Sequence, residues 1–283
     1  MMNYQEYENQ WVEFPKLNKV SRTPLSLDIE ITNRCNLQCS HCPFHKPDPL
    51  FKRKEMDMDF EMYTKIIDEI SSKDTNSIKF NFGGEPTIYP NLVEAVQYAK
   101  DKGIFEIIIN TNAVELTSHL GKALCDVGLT KLIVSDYNIF RQVKNVKAFN
   151  LIRDDCKLII NKVDCSEKWD MIDYDQLIAS KFYDFGKLKS DTIESNFQCS
   201  YPWQRFIVLA DGSIMSCSCG SLDYSKKIGH FPQDSIEETW LGSSMNELRR
   251  LHKDHESHKI SYCQKCHLRK EYLIKKVLGL YEI

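Results

Sequence analysis

The strongest constraint on the fold of this chain is an alternation. From Leu25 to about Asp136, short runs rich in β-branched and aromatic residues take turns with stretches of helical periodicity, the pattern of βα units laid around a parallel sheet. "LSLDIEIT" (25–32) predicts the first strand. "MDFEMYTKIIDEI" then places Met62, Tyr63, Ile66, Ile67 and Ile70 at helical spacing behind Asp59, the expected N-cap. "SIKFNF" predicts the second strand, "NLVEAVQYAKDKG" a helix opening near Asn91 and closing at Gly103, and "FEIIINT" a buried third strand. "LTSHLGKALCDVG" and "KLIVSD" repeat the unit. Beyond residue 137 the pattern thins, with "CKLIINKV" (156–163) as a fifth strand and "KFYDFGKLKS" (181–190) as a sixth.

From Cys199 the chain changes character. "RFIVLADGSIMSC" predicts two strands joined by an Asp-Gly turn, "SIEETWLGSSMNELRRLHKD" (235–254) predicts one helix, and "CQKC" follows. The expected fold class is therefore α/β, with a small C-terminal β-hairpin plus helix domain that is rich in cysteine.

At 283 residues the chain is long enough for one large domain or a large and a small one. A net charge of −3 gives no general attraction to nucleic acid or an anionic membrane. "MMNYQEYENQWVEFPKLNKV" lacks the basic start and apolar run of a secretory signal, and no apolar run reaches the roughly 20 residues needed to span a bilayer. A cytoplasmic location follows as the expectation. There thiols stay reduced, so the 11 cysteines become candidates for metal binding rather than disulfides.

Three of them, Cys35, Cys39 and Cys42, fall in "ITNRCNLQCSHCPF", directly after the first strand. Loops at the carboxyl ends of parallel strands are where such folds place their chemistry. Structural zinc usually closes with four ligands, whereas three thiolates on a four-iron cluster leave one iron open to a small molecule. The triplet alone also fits a partial zinc site.

Together with "FNFGGEPTIYPNL", the triplet resembles the radical S-adenosylmethionine (AdoMet) superfamily. The resemblance implies a partial (β/α)6 TIM-like barrel and a [4Fe-4S] cluster with an open iron site. It also implies that Gly83, Gly84 and Glu85 bring backbone groups against the methionine amine of AdoMet. By the same resemblance Asn112 in "INTN" and Ser135 in "VSD" lie near the ribose and carboxylate, and His41 near the adenine. Asn112 and Ser135 fit a strand terminator or cap equally well. The implied chemistry is reductive cleavage of AdoMet to methionine and a 5′-deoxyadenosyl radical that takes a hydrogen atom from substrate, with a reducing partner such as flavodoxin or ferredoxin.

Cys199, Cys217, Cys263 and Cys266 form a second set, which resembles the superfamily's auxiliary-cluster domains, SPASM and its truncated form, twitch. "HLRKEYLIKKVLGLYEI" after the CxxC holds no cysteine, so the single-cluster twitch form is the nearer likeness. It implies a second, auxiliary [4Fe-4S] cluster. Spacing alone fits a zinc ribbon equally. Cys219 lies two residues from Cys217 and could replace it, but Cys217 keeps the family's gap after Gly212. Cys125 and Cys156 read as small core residues; Cys165 has no assigned role. "HKDHESH" (His252, His255, His258) reads as a solvated helix end rather than a metal site.

The implied boundaries are an N-terminal extension at 1–24, a radical SAM core at 25–190 and an auxiliary domain at 191–283. The size and four-cysteine layout look most like the 2-deoxy-scyllo-inosamine dehydrogenase type. The expected activity is thus oxidation of a small polar substrate, such as a sugar or cyclitol, with the auxiliary cluster accepting an electron. Peptide modification is a rival, lowered because the residues before the first strand are too few for a leader-binding domain. A non-catalytic iron–sulfur or zinc module is the reading from another class. No substrate-binding residue or general base is identifiable.

Overall fold

The fold was analysed in a computed structural model, which describes residues 4–40, 42–45, 53–137, 139–162, 169, 173–179, 198–218, 220, 223–264 and 266. Six strands, β1 (Ser26–Ile29), β2 (Ser77–Phe80), β3 (Glu106–Thr111), β4 (Lys131–Ser135), β5 (Lys157–Lys162) and β6 (Gln176–Ala179), lie side by side in chain order, every pair parallel. At the other edge β7 (Arg205–Val208) pairs parallel with β1, and β8 (Ser213–Met215) and β9 (Gly229–His230) continue antiparallel. The sheet order β6-β5-β4-β3-β2-β1-β7-β8-β9 is open, the expected partial (β/α)6 barrel. The sixth strand predicted at 181–190 lies outside the described residues.

The period-two alternation of each strand divides the sheet into two faces. Leu27, Ile29, Ile78, Phe80, Ile107, Ile109, Leu132, Val134, Leu158 and Ile160 are buried in the main apolar core. The intervening residues, among them Asp28, Lys79, Glu106, Asn110 and Ser135, face the lumen and are mostly polar.

The crossover helices α2 (Phe60–Ser71), α3 (Leu92–Asp101), α4 (Ser118–Asp126) and α5 (Phe140–Asn150) cover the apolar face. In α2, Tyr63, Ile66, Ile67 and Ile70 are buried as the spacing predicts, and Asp59 caps the helix by accepting from the Met62 N–H at 3.1 Å. Each fully buried aliphatic side chain contributes about 1.5–3 kcal/mol. The Asp-Gly turn forms as predicted, with Gly212 at φ +87°.

Two differences have physical causes. The first 24 residues contain an unanticipated helix, α1 (Tyr4–Leu17), whose Tyr7 and Phe14 pack with Trp11, Leu25 and Phe105 over the amino end of the barrel. The helix predicted over 235–254 breaks at Gly242 into α7 (Ile236–Leu241) and α8 (Ser243–Lys253). A Cβ at Gly242 would stand 2.8 Å from the Glu238 carbonyl oxygen. Short helix α6 (Tyr201–Gln204) follows Cys199, and α9 (Ser261–Gln264) contains Cys263. No helix among the described residues is long and apolar enough to cross a membrane.

Candidate metal centres at two cysteine clusters

The loop after β1 is held by the residues between and before its cysteines. Arg34 forms a paired contact with Asp57, Nε to Oδ1 at 3.0 Å and Nη2 to Oδ2 at 2.7 Å, a two-point geometry that fixes the guanidinium plane. Asn33 donates to the Lys54 carbonyl at 2.9 Å and accepts from the Met56 N–H at 2.7 Å. Asn36 accepts from the Asn112 amide at 2.7 Å. Thus braced, Cys35, Cys39 and Cys42 line one pocket of about 90 Å³ with Gly83, Gly84, Glu85, Asn112 and Ser135. His41 lies outside the described residues.

The glycines in "GGEP" answer first to protein atoms. A Cβ on Gly84 would stand 2.3 Å from the Thr32 oxygen and 2.5 Å from the Arg34 oxygen, so the cysteine loop can lie against β2 only if residue 84 has no side chain. A Cβ on Gly83 would collide with the Glu30 carboxylate. The Glu85 carboxylate is spent within the fold. Oε1 accepts from the Thr87 N–H at 3.0 Å and from the Thr87 and Thr111 hydroxyls; Oε2 accepts from the Asn112 N–H at 2.7 Å. Burial pushes this carboxyl above its ordinary pKa, against the hydrogen bonds that lower it. Glu85 therefore ties the ends of β2 and β3 together, while its own N–H donates to the Arg34 carbonyl at 2.8 Å.

Asn112 serves as the strand terminator the sequence also allowed. Its Oδ1 accepts from the Val114 N–H at 2.9 Å, and one amide hydrogen reaches Asn36. Ser135 lines the pocket beside Asn110, whose amide lies 3.4 Å from the Ser135 hydroxyl. Asn110 and Tyr137 are pocket residues that the sequence reading missed; Asn110 shares strand parity with Asn112, which was the available signal. Also missed was Gln142, fully buried, whose amide donates to the carbonyls of Asn112 (2.7 Å) and Ser135 (2.6 Å) and so clasps β3 to β4. Next to Gly83, buried Glu30 is paired through both oxygens with Arg53, Nη1 to Oε2 at 2.6 Å. No local pattern marks that pair.

The second set also converges. Cys199, Cys217, Cys263 and Cys266 line one pocket whose other walls include Tyr201, Pro202, Leu248 and His252; Cys219 and Cys165 lie outside the described residues. The Gly220 N–H donates to Cys217 Sγ at 3.2 Å. Burial raises the Cys199 thiol, and the neighbouring Cys266 and Cys217 add to the rise. Cys35 at the first site is pushed up to about 11, chiefly by burial. Thiols held protonated in this way release protons when they take up metal.

Among the described residues no group of three or more Cys, His, Asp or Glu forms a ready-made single-ion site; the thiols instead ring two pockets. The donor sets fit iron–sulfur chemistry, with three sulfurs at a polar mouth and four in an apolar enclosure. His252, taken from the sequence for part of a solvated helix end, is only 2% exposed and lies among the second set. Cys125 is half-buried and Cys156 is buried in the core.

Comparison with known proteins follows the same division. Residues 29–135 match the radical SAM superfamily and residues 199–267 match SPASM, an iron–sulfur cluster-binding domain. The chain is 34% identical over 122 residues to the tungsten-containing aldehyde ferredoxin oxidoreductase cofactor-modifying protein of Pyrococcus furiosus, covering 42% of this chain and 32% of that protein. It is 35% identical over 138 residues to the GTP 3′,8-cyclase of Aquifex aeolicus, covering 47% and 41%. The chain thus spans less than half the length of these curated relatives. Among solved structures, BtrN in complex with AdoMet and 2-DOIA superposes with a TM-score of 0.64 at 21% identity, covering 86% of this chain and 92% of that one. That likeness is one of fold. The two matched domain types bind, respectively, a [4Fe-4S] cluster with AdoMet and auxiliary iron–sulfur clusters. Residues 29–135 thus form a radical SAM domain and residues 199–267 a SPASM-type region on one open barrel.

Proposed function

We propose that this protein oxidises a small polar substrate, a sugar or cyclitol alcohol, by hydrogen-atom abstraction, with loss of the hydroxyl proton and passage of the second electron to an auxiliary cluster. The observation that carries the reading is the unequal pair of cysteine sites. Three thiols at the mouth of a polar lumen leave a coordination position for AdoMet, and four thiols in an apolar enclosure leave none, which suits electron acceptance rather than substrate coordination.

In this reading Cys35, Cys39 and Cys42 hold the first cluster, and Cys199, Cys217, Cys263 and Cys266 the auxiliary one. The bound first cluster supplies the electron for reductive cleavage of AdoMet, delivered by a partner of the flavodoxin or ferredoxin kind. The backbone at Gly83, Gly84 and Glu85 meets the methionine amine, with Ser135 and the remaining amide hydrogen of Asn112 toward the ribose and carboxylate, and His41 toward the adenine. The polar lumen face of β1 to β5 would receive the substrate's hydroxyls, and the surrounding sheet would exclude water from the reacting carbon. We place the extension at 1–24, the core at 25–190 and the auxiliary domain at 191–283.

The test is anaerobic incubation of reconstituted protein with AdoMet, a reductant and cyclitols or sugars carrying deuterium on the carbinol carbons. Deuterium in 5′-deoxyadenosine together with a ketone product supports the reading. A new carbon–sulfur or carbon–carbon bond, or transfer only from a peptide, would overturn it.

A further inference from the structure

His252 sits at the inner end of α8, where the buried positions Met245, Leu248, Arg249 and His252 recur at helical spacing and turn it toward the cysteines. Its ring touches two of them. Nδ1 accepts the Cys199 N–H at 3.2 Å, and Nε2 stands 3.6 Å from Cys263 Sγ. A nitrogen that accepts a hydrogen bond carries no proton, so the neutral ring has its hydrogen on Nε2, aimed at the sulfur.

We propose that His252 is a positioning residue of the auxiliary cluster: it donates Nε2–H to the Cys263 sulfur and thereby raises the cluster's reduction potential. The inference rests on the reading that the four carboxyl-terminal cysteines hold an iron–sulfur cluster. Hydrogen bonds to cluster sulfurs favour the reduced state, because the added electron increases the negative charge on sulfur. An acceptor of substrate electrons benefits from that shift. The backbone of Cys199 fixes the tautomer, so the ring is held ready to donate.

The two contacts can be separated by isosteres. Asparagine offers an acceptor where Nδ1 stands but no donor to sulfur; glutamine offers a donor where Nε2 stands. In the full chain, with Cys35, Cys39 and Cys42 replaced by alanine so that one cluster remains, the midpoint potential is read by redox titration followed by electron paramagnetic resonance. His252→Asn is expected to lower the reduction equilibrium constant about tenfold, a 59 mV shift for one electron, and His252→Gln to restore most of it. An unchanged potential in His252→Asn, with about four irons per chain, would overturn the hydrogen bond while leaving the cluster reading intact. Zinc in place of iron in the parent would overturn the cluster reading and the inference with it. Should the variants fail to assemble, pulsed resonance on histidine-¹⁵N-labelled protein with His252 intact decides: a weak ¹⁵N coupling to the reduced cluster is expected, and its absence refutes the contact.

Discussion

The two cysteine sites use the same ligand atom in opposite surroundings. At the barrel mouth, three thiols share their pocket with Asn110, Asn112, Ser135 and the backbone of two glycines, and the loop that carries them is braced by polar contacts from Asn33, Arg34 and Asn36. In the carboxyl-terminal site, four thiols, one before α6, one after β8, one in α9 and one just beyond it, sit among Tyr201, Pro202 and Leu248. The first site is built around room for a polar ligand, the second around exclusion of one. Thiol count and the polarity of the walls therefore point the same way, in keeping with the proposed roles of AdoMet chemistry at the first site and electron acceptance at the second.

The largest effect should come from single cysteine changes that separate these roles. Cys42→Ala is expected to reduce AdoMet cleavage to background, whereas Cys266→Ala should keep cleavage and lose substrate oxidation, both read by chromatography of 5′-deoxyadenosine and product. Equal loss in both variants would erase the distinction. Next in size is Arg53→Met, which leaves the Glu30 carboxylate buried without its cation beside the first pocket. Removing one partner of a buried pair costs about 3–5 kcal/mol, measurable by denaturant unfolding.

Gly84→Ala sharpens the contrast more gently. Its Cβ must push the Thr32 and Arg34 carbonyls aside, an overpacking cost of about 1–3 kcal/mol. Iron should fall at the amino-terminal site and stay at the other. The smallest effect concerns the link between the two regions. Glu237 of α7 bonds Arg22 at 2.6 Å and Lys73 at 2.7 Å, and those bonds, Arg22's first, hold its carboxyl below the ordinary range. A lowered carboxyl stabilises the fold above its unfolded pKa and loses that contribution as pH falls through the folded value. Glu237→Gln should therefore flatten the acid side of a melting temperature against pH curve, and less so in high salt because the pair is exposed.

Much of the core was legible because its signals are local. Asp59 caps α2 where the spacing put it, Gly212 takes the positive φ its turn needs, and the cysteine loop follows the first strand. What escaped depends on contacts distant in sequence or on weak periods. Tyr7, Trp11 and Phe14 do recur at helical spacing in α1, but polar residues and Pro15 dilute the signal. Glu30 and Arg53 are 23 residues apart and meet only in the folded barrel. The polar run "HKDHESH" concealed His252, whose burial is set by the apolar stripe of Leu248 and Met245 one and two turns earlier. Glu85 and Asn112 were read toward a ligand; their side chains prove also to bind the scaffold that shapes the ligand's pocket.

The central claim, two clusters of unlike purpose, is tested most directly by counting iron, sulfide and zinc after anaerobic reconstitution of the wild type and of the Cys35→Ala/Cys39→Ala/Cys42→Ala variant. Two four-iron clusters predict about eight irons per chain falling to about four. About four irons falling to none, with zinc retained, would contradict it: the carboxyl-terminal site would then be a structural zinc site, and the argument for substrate oxidation would go with it.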